Sequence, residues 1–324
     1  MIEKLNLIPF FVSNLARKIL DLKQSFQEFF YFAYNNETLN EKIKYNSNTI
    51  NVYLEKKMKK TGRVVLITGE SSGFGLEMSK LFIANKDIVC GFSNQEFQME
   101  GIYHQYGDVS KEEDCINVVN NIIAKYGRID ILMNNAGFGI FGPFEETSLQ
   151  KAKSQVDVSF FGTFLMAKTV LPYMRKQKEG KIINTSSIGG VIPLPFQGFY
   201  SASKAAMDML FNSLRPEVLP YNIQICSIKP GDAKTNFTKN RQKDKLNENS
   251  PYKDAFDHCL NSVAKDEQNG IEPIKIAKVA FNISKKKRMP YSKSIGAKDK
   301  FLALVYHILP KRIRNYLLYK IYAS

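Results

Sequence analysis

Between residues 63 and 235 the chain alternates between two patterns of apolar and polar residues. Short runs rich in Val, Ile and Leu are typical of buried parallel strands, whereas apolar residues every three or four positions are typical of amphipathic helices. The predicted strands cover 64–68, 88–92, 102–106, 129–134, 181–185 and 224–229, and the predicted helices cover 74–85, 111–126, 149–178 and 200–219. Alternation of this kind predicts an α/β fold, a doubly wound parallel sheet in three α/β/α layers.

The pattern becomes less regular after residue 235. Residues 235–266 are mostly polar and predict a long loop, followed by a helix over 270–284 and an edge strand over 291–296. Segment 297–324 has apolar residues at helical spacing, interleaved with basic residues, and Pro310 is expected to kink or divide that helix. We therefore expect a main domain over 58–296 and a helical C-terminal extension over 297–324.

The first 57 residues have a pattern of their own. Apolar positions over 2–34 predict an amphipathic helix, and the stretch 35–51, rich in Asn, Lys and Glu, is typical of a linker. Two interpretations stay open: residues 1–57 are an amphipathic N-terminal extension, or translation begins at Met58. Neither a signal peptide nor a transit peptide is expected, because the apolar run is short and acidic residues interrupt the segment.

Charge is unevenly distributed along the chain. The 324 residues include 46 Lys or Arg and 31 Asp or Glu, a net charge of +15. Residues 62–284 carry 25 basic and 24 acidic residues, whereas residues 285–324 carry 11 basic residues and one acidic residue. This end predicts peripheral contact with an anionic membrane, a helix packed over a pocket or a partner subunit, or a solvated basic tail. Nucleic acid is not expected as a partner, because the main domain is nearly neutral.

Cysteine and histidine usage argues against a disulfide framework and against a metal site. The four cysteines are widely spaced without a C-x-x-C pair, and none of the three histidines lies beside a plausible metal-binding partner. Reduced cysteines fit a cytoplasmic setting. No stretch reaches the roughly 18 uncharged apolar residues that span a bilayer. We therefore expect a cytoplasmic protein that is at most peripheral to a membrane.

A glycine-rich turn follows the first predicted strand. Residues 68–75 have the sequence TGESSGFG and lead directly into a helix. Glycines permit a tight turn and let a phosphate approach backbone N–H groups, and the helix N-terminus favours negative charge. Many turns have a similar composition, but the position between the first strand and the first helix favours a nucleotide-binding site.

Two polar segments follow later strands. The sequence NNAG at 134–137 comes at the end of the fourth strand and is either a simple polar turn or part of the same site. Asp108, followed by Val109, comes after the third strand and either accepts hydrogen bonds from an adenine or is an ordinary surface acid. In parallel sheets, ligands bind beyond the carboxyl ends of the strands, where these segments lie.

Ser187, Tyr200 and Lys204 form the strongest candidate for a catalytic group. Ser187 follows the fifth strand, and Tyr200 and Lys204 lie four residues apart on a predicted helix, so they share a face. An ammonium group near a phenol stabilises the phenolate and lowers the tyrosine pKa from about 10 toward the working pH. Tyr200 can then exchange a proton with an alcohol or carbonyl while Ser187 holds the oxygen. The alternative for any such pair is an ordinary helix surface.

Taken together, these motifs resemble the short-chain dehydrogenase/reductase family. The glycine turn matches its T-G-x-x-x-G-x-G, residues 134–137 match its N-N-A-G, and Ser187, Tyr200 and Lys204 match its Ser and Tyr-x-x-x-Lys, with the usual 13-residue gap from Ser to Tyr. The resemblance covers roughly 62–284. It implies a Rossmann-type fold, an NAD(P)(H) cofactor and hydride transfer. Residues 194–204 are similar to members that act on steroids, retinoids and other bulky apolar alcohols or ketones.

The resemblance also implies roles for individual residues. Tyr200 is the general acid/base, Lys204 tunes it and binds the nicotinamide ribose, and Ser187 positions the substrate oxygen. Segment 235–266 corresponds to the substrate lid or, alternatively, is a variable surface loop, and helices 149–178 and 200–219 imply a homodimer or homotetramer. Cofactor contacts are implied for Thr68, Gly69, Ser71, Ser72, Gly73, Phe74, Gly75, Ser93, Asp108, Val109, Asn135, Ala136, Gly137, Tyr200, Lys204, Pro230, Gly231 and Thr235.

Three positions depart from the family pattern. Ser159 stands where the family has a catalytic Asn that helps to hold a water joining the lysine to solvent, so the proton relay is expected to differ. Glu70 replaces a small residue of the glycine turn, and its carboxylate can accept from an adenosine ribose hydroxyl or repel a 2′-phosphate. The second strand ends at Ser93 and Asn94, with neither an acid that would favour NAD nor an arginine that would favour NADP. Cofactor preference therefore stays open.

Two functions follow from these residues. The favoured one is an NAD(P)-dependent oxidoreductase that interconverts a small-molecule carbonyl and its alcohol. The alternative, which Ser159 suggests, is a non-catalytic cofactor-binding or membrane-associated scaffold on the same fold. The complete Ser–Tyr–Lys set favours the enzyme, because a scaffold has no need of it.

Overall fold

The computed structural model describes residues 62–235, 242–243, 246 and 249–322. The predictions for the N-terminal extension 1–57, its linker and a start at Met58 lie outside these residues, as does part of segment 235–266. The described residues contain the whole alternating region and nearly all of the C-terminal extension.

Seven parallel strands form the main sheet. Within the described residues the strands are β1 (Val64–Thr68), β2 (Ile88–Ser93), β3 (Ile102–Tyr106), β4 (Ile131–Asn134), β5 (Ile140–Phe141), β6 (Gly180–Thr185), β7 (Ile223–Pro230), β8 (Gln242–Lys243) and β9 (Ser292–Ile295). The main sheet has the order β3-β2-β1-β4-β6-β7-β9, and β5 pairs separately with β8. Because the strand order reverses direction between β1 and β4, the carboxyl ends of these two strands flank the crevice where such sheets bind ligands.

Helices cover both faces of this sheet. They are α1 (Gly73–Ala84), α2 (Glu112–Tyr126), α3 (Leu149–Val156), α4 (Thr163–Gln177), α5 (Gly198–Val218), α6 (Lys253–Gln268), α7 (Pro273–Lys285), α8 (Ala297–Ile308) and α9 (Lys311–Tyr322). Leu66 of β1 belongs to a core shared with α2, α4 and α5, whereas Val65 and Ile67 belong to a second core shared with α1 and α7. Alternate residues of a strand face opposite sides of a sheet, so one buried strand serves two cores. The predicted three-layer fold is confirmed.

The predicted helix over 149–178 is interrupted. α3 ends at Val156, a wide π-helical turn follows over Asp157–Gly162, and α4 continues from Thr163. A Cβ at Gly162 would lie 2.8 Å from Val109 Cγ2, so this turn packs closely against the segment after β3. Turns of this kind are frequent at functional sites, and this one carries Ser159.

The polar segment 235–266 contains a helix that its composition did not predict. α6 buries Phe256, Cys259 and Val263 in a small cluster with Phe141 of β5. The C-terminal extension divides into α8 and α9 at Pro310, as predicted. Among the described helices, none combines the length and the apolarity needed to cross a bilayer.

Candidate active site

The glycine-rich turn between β1 and α1 has three positions, Gly69, Gly73 and Gly75, without a side chain over the backbone. Gly69 and Gly73 have φ values of +68° and +52°, a region that favours glycine. A Cβ at Gly75 would lie 2.1 Å from the carbonyl oxygen of Gly69, so no side chain fits at that position. Such a cradle at a helix N-terminus fits the pyrophosphate of a dinucleotide.

The segment after β4 braces this turn. Thr68 Oγ1 accepts hydrogen bonds from the backbone N–H groups of Asn135 and Ala136, both at 2.9 Å. Asn135 Nδ2 donates to the carbonyl oxygens of Thr68 and Gly69, at 3.1 and 3.3 Å. Residues 134–137 therefore belong to the same edge of the sheet as the glycine turn, and are not an isolated polar turn.

Other predicted cofactor residues surround the turn. A Cβ at Gly73 would lie 3.9 Å from Thr235 Cβ, so the segment that follows β7 returns to the start of α1. Ser71 Oγ donates to Gln95 Oε1 at 3.3 Å, which ties the turn to the residues after β2. Ser72 directly precedes α1 and makes no capping hydrogen bond with its side chain.

Three further predicted residues have evident structural contacts. Asp108 Oδ1 accepts from the backbone N–H and the hydroxyl of Ser110, at 2.9 and 2.8 Å, so this carboxyl shapes the turn before α2. Val109 is buried against the π-helical turn, and Phe74 packs against the core between α1 and the sheet. These contacts position the edge of the sheet, and the half-buried carboxyl group of Asp108 is bonded within its own turn.

Ser187, Tyr200 and Lys204 meet around Gly189. Ser187 lies just beyond β6, and its Oγ accepts from the Gly189 N–H at 2.9 Å. A Cβ at Gly189 would lie 3.3 Å from Ser187 Oγ and 3.2 Å from Tyr200 Cε1, so both side chains flank the same small residue. Lys204 Nζ lies 5.9 Å from the centre of the Tyr200 ring. The structure thus brings together the three side chains that the sequence spacing singled out.

Lys204 is buried beneath this group. Its Nζ donates a 2.8 Å hydrogen bond to the carbonyl oxygen of Thr185. Burial lowers the pKa of Lys204 to about 8, and the negative charge of Asp208 acts in the opposite direction. The buried environment thus disfavours the charged form of Lys204 relative to that of an exposed lysine.

Ser159 lies beside Lys204. A Cβ at Gly137 would lie 3.7 Å from both Lys204 Nζ and Ser159 Oγ, so the two groups flank one glycine. Ser159 Oγ accepts a 2.8 Å hydrogen bond from Gln155 Nε2, and the fully buried Gln155 also bonds two backbone groups after β4. Gln155 is not predicted by the sequence, because a glutamine one helical turn before Ser159 belongs to no motif.

An apolar pocket of about 180 Å³ lies next to this group. Its walls come from the segments around β5 and before α5: Ile140, Gly142, Phe144, Thr147, Leu194, Pro195, Phe196, Gly198 and Phe199. The rings of Phe141, Phe196 and Phe256 pack with centroids 5.4 to 6.4 Å apart. A Cβ at Gly189 would lie 3.1 Å from Leu194 Cδ1 of the pocket wall and 3.2 Å from Tyr200 Cε1, so the wall and the candidate catalytic residue flank the same glycine.

The C-terminal extension is only partly covered by the rest of the chain. Tyr322 packs against the cluster of Phe141 and Phe256, and burial raises its pKa to about 12. A Cβ at Gly231 would lie 2.0 Å from Cγ of the buried Asp299, so α8 begins against the segment after β7. Exposed large apolar side chains remain at Phe301, Leu302, Leu304, Ile308, Ile313, Tyr316, Leu317, Tyr319 and Ile321. Packing on the main domain thus accounts for part of this segment only.

Comparison with known proteins identifies the family. The model of the short chain dehydrogenase family matches residues 63–246. A 3-ketodihydrosphingosine reductase of Bacteroides thetaiotaomicron is 40% identical over 236 residues, which cover 72% of this chain and 88% of that protein. The 11-beta-hydroxysteroid dehydrogenase-like 2 protein of Arabidopsis thaliana is 36% identical over 231 residues, covering 66% of this chain and 74% of that one. A short-chain dehydrogenase of Streptomyces avermitilis has a TM-score of 0.70 at 27% identity, covering 79% of this chain and 95% of that one.

The matched region includes the features on which the resemblance was based. The family model spans more than half of the chain, from the first residue before β1 to beyond β7. It contains the glycine turn, residues 134–137 and the group formed by Ser187, Tyr200 and Lys204. The chain therefore belongs to the short-chain dehydrogenase/reductase family and is an NAD(P)-dependent oxidoreductase on a Rossmann-type fold.

Proposed function

We propose that the protein interconverts a carbonyl and an alcohol on a bulky apolar substrate, with Tyr200 as general acid/base. One observation carries the proposal: Leu194 of the apolar pocket wall and Tyr200 flank the same glycine, Gly189. A substrate whose chain fills this pocket has its reacting oxygen beside Tyr200 and Ser187. The 3-ketodihydrosphingosine reductase relative supports a long-chain ketone as the substrate class.

Each polar side chain has its own task in this proposal. NAD(P)H supplies the hydride in reduction, and NAD(P)⁺ accepts it in oxidation. Because Ser187 Oγ already accepts from Gly189, its own hydrogen can be donated to the substrate oxygen. Tyr200 gives its proton to that oxygen in reduction and takes a proton from the alcohol in oxidation. Lys204 uses one of its three hydrogens on Thr185 and has the others for the nicotinamide ribose and the proton relay.

Ser159 and Gln155 replace the asparagine of the family in that relay. Gln155 holds the Ser159 hydroxyl close to Lys204. A serine is shorter than an asparagine, so a water molecule that bridges Ser159 and Lys204 completes the connection to solvent. In this proposal the chain keeps its proton pathway despite the altered residue, and the scaffold alternative is not needed.

Replacement of Tyr200 tests the proposal most directly. The substrate is a long-chain 3-ketone in detergent micelles, and cofactor oxidation is followed by absorbance. Tyr200→Phe should lower turnover by a factor of about 1,000 or more, because the proton donor is lost, while calorimetry shows unchanged cofactor binding. The matched control is Tyr291→Phe, which alters a tyrosine that is 73% exposed. Turnover by Tyr200→Phe within twofold of the unaltered protein would refute the assignment.

We further propose that α8 and α9 bind the surface of an anionic membrane on the cytoplasmic side. Their exposed apolar side chains, from Phe301 to Ile321, are interleaved with exposed Lys311, Arg312 and Lys320. Apolar burial in the interface and attraction to anionic headgroups then act together, at about 1 kcal/mol for each basic residue near the surface. Contact with a membrane also suits an enzyme whose substrate partitions into lipid.

Vesicle sedimentation distinguishes this contact from non-specific adsorption to lipid. The protein should sediment with vesicles of phosphatidylcholine and phosphatidylglycerol, and much less with phosphatidylcholine alone. Lys311→Glu with Arg312→Glu should weaken binding at least about tenfold, whereas the matched pair Lys275→Glu with Lys278→Glu on α7 should not. Equal binding to both vesicle types, or equal binding by both charge variants, would contradict the proposal.

We also propose a homodimer or homotetramer through the long helices. Phe161, on the π-helical turn, Phe164 of α4 and Met209 of α5 are large, apolar and exposed. A contact between subunits would remove them from water. Sedimentation velocity should show that the unaltered chain is an oligomer and that Phe164→Glu and Met209→Glu dissociate it. If the unaltered chain sediments as a monomer, the proposed oligomer is excluded.

A further inference from the structure

Glu70 of the glycine turn has its side chain buried over the end of β2. The residue is fully buried, although it lies in a loop at the cofactor edge of the sheet. Gly91 of β2 provides the room, because a Cβ at that position would lie 2.4 Å from Glu70 Cγ and 2.6 Å from Glu70 Oε1. The side chain of Glu70, a residue of the turn after β1, therefore lies against the neighbouring strand β2.

The Glu70 carboxyl group is held from two strands. Its Oε1 lies 2.5 Å from Nδ1 of His104 on β3 and accepts from Ser93 Oγ, at the end of β2, at 3.3 Å. Burial raises the pKa of Glu70, and the contacts with His104 and Ser93 act in the opposite direction. In the described part of the chain, Glu70 Oε2 and His104 Nε2 are buried without a hydrogen-bond partner. Buried polar atoms are nearly always paired, so two orphans in one pair point to a role beyond stability.

The Glu70 carboxyl group lies near the end of β2, where the residues of a dinucleotide site contact the adenosine ribose. Dinucleotide sites commonly have an acidic residue near the end of the second strand, where it binds the 2′-hydroxyl of the adenosine ribose. Here β2 ends at Ser93 and is followed by the neutral amides Asn94 and Gln95. Glu70 reaches Ser93 from the glycine turn, and therefore brings an acid to the place where the strand itself has none.

We propose that Glu70, held by His104 and Ser93, is the residue that makes this enzyme prefer NADH over NADPH. Because Glu70 is fully buried, it acts on the adenosine ribose through Ser93, whose hydroxyl is bonded to the carboxylate group, and this arrangement is compatible with a free 2′-hydroxyl. The same charge repels a 2′-phosphate, and burial leaves that repulsion weakly screened by solvent. The inference depends on the cofactor site alone, so it stands or falls independently of the proposed substrate.

Calorimetry of cofactor binding without substrate tests the proposal. NADH should bind at least about tenfold more tightly than NADPH. Glu70→Gln keeps the shape and removes the charge, so it should reduce this ratio by about tenfold, mainly through tighter NADPH binding. Glu77→Gln, on the solvent side of α1 and paired with Lys80, is the matched control and should leave the ratio unchanged.

A second measurement needs no variant and covers the case in which Glu70→Gln does not fold. Adenosine 5′-monophosphate and adenosine 2′,5′-bisphosphate differ only in the 2′-phosphate. Competition against NADH on the unaltered protein should favour the 5′-monophosphate by about tenfold or more. The proposal is overturned if the bisphosphate competes equally well or better, or if a folded Glu70→Gln protein keeps the ratio of the unaltered chain.

Discussion

The two halves of the site are held together by different forces. In the cofactor half, residues 68–75 and 134–137, bare glycines and short hydrogen bonds to Thr68 fix the backbone. In the substrate half, residues 140–147, 194–199 and α6, the rings of Phe141, Phe196 and Phe256 pack against one another. Hydrogen-bond geometry tolerates little change, whereas apolar packing can be rebuilt with other side chains of similar volume. The comparison explains how a family can keep its cofactor while its substrates differ.

The largest expected effect comes from a methyl group added to the cofactor half. Gly75→Ala places its Cβ 2.1 Å from the Gly69 carbonyl oxygen, which cannot move without disrupting the turn. We expect a loss of about 3 kcal/mol in the free energy of unfolding and loss of NADH binding. Gly198→Ala adds the same methyl group to the substrate half, where nothing lies within 4 Å. Its effect should stay within about 0.5 kcal/mol in urea unfolding, and similar losses in both variants would remove the contrast.

A hydroxyl group of the cofactor half should have the next largest effect. Thr68→Val removes the acceptor for the N–H groups of Asn135 and Ala136, so two partly buried donors lose their partner. The expected cost is about 2 kcal/mol in the free energy of unfolding, measured by urea titration. Thr185→Val is the control, because it removes one longer bond of 3.3 Å to Asn135 Oδ1. If Thr185→Val lowers the free energy of unfolding as much as Thr68→Val does, the two hydrogen bonds to Thr68 do not contribute more than the single bond of Thr185.

A smaller, pH-dependent effect is expected at Asp232, which lies after β7 near the acidic residues Asp266 and Glu267 of α6. Burial raises the pKa of Asp232 to about 6, and the charges of Asp266, Asp299 and Glu267 add to this shift. A carboxyl group whose folded pKa exceeds its unfolded value binds its proton more tightly in the folded state, so its stabilising contribution is lost as pH rises from about 4 to 6.

Replacement by the neutral amide tests that sign. Asp232→Asn should therefore raise the free energy of unfolding by about 1 to 2 kcal/mol above pH 7 relative to the unaltered chain, but not near pH 4. Thermal unfolding at the two pH values measures the difference. Asp257→Asn changes an exposed acid of α6 and should alter stability by less than about 0.5 kcal/mol at either pH. A gain for Asp232→Asn that is equal at both pH values would contradict the assigned shift.

Much of the fold follows from local signals. The run of Val64 to Thr68 is apolar and β-branched, and all five residues are buried in the sheet. The break between α3 and α4 was not foreseen, because Phe160 and Phe161 continue the apolar pattern through the π-helical turn. α6 was also missed: its helix is stabilised by contacts with Phe141, more than 100 residues earlier in the chain, and its own composition is largely polar.

In the candidate site, too, some residues could be predicted from the sequence and others only from the folded structure. Motif spacing alone grouped Ser187, Tyr200 and Lys204, because a strand end and one helical turn have fixed dimensions. Gln155 entered the site only in the folded chain, where a buried side chain must satisfy its polar atoms with whatever backbone lies nearby. Sequence could identify Glu70 as unusual but not locate its carboxyl group.

The sequence by itself determined the alternation of strands and helices over 63–235, the parallel sheet and the grouping of Ser187, Tyr200 and Lys204. These features depend on periodicity, on glycine and on short spacings, all of which act over a few residues. Only the tertiary structure decided that Glu70 lies against Gly91 and His104, and that Tyr322 covers the cluster of Phe141. Such contacts join residues far apart in the chain, and they exist only where packing brings those residues within a few ångströms.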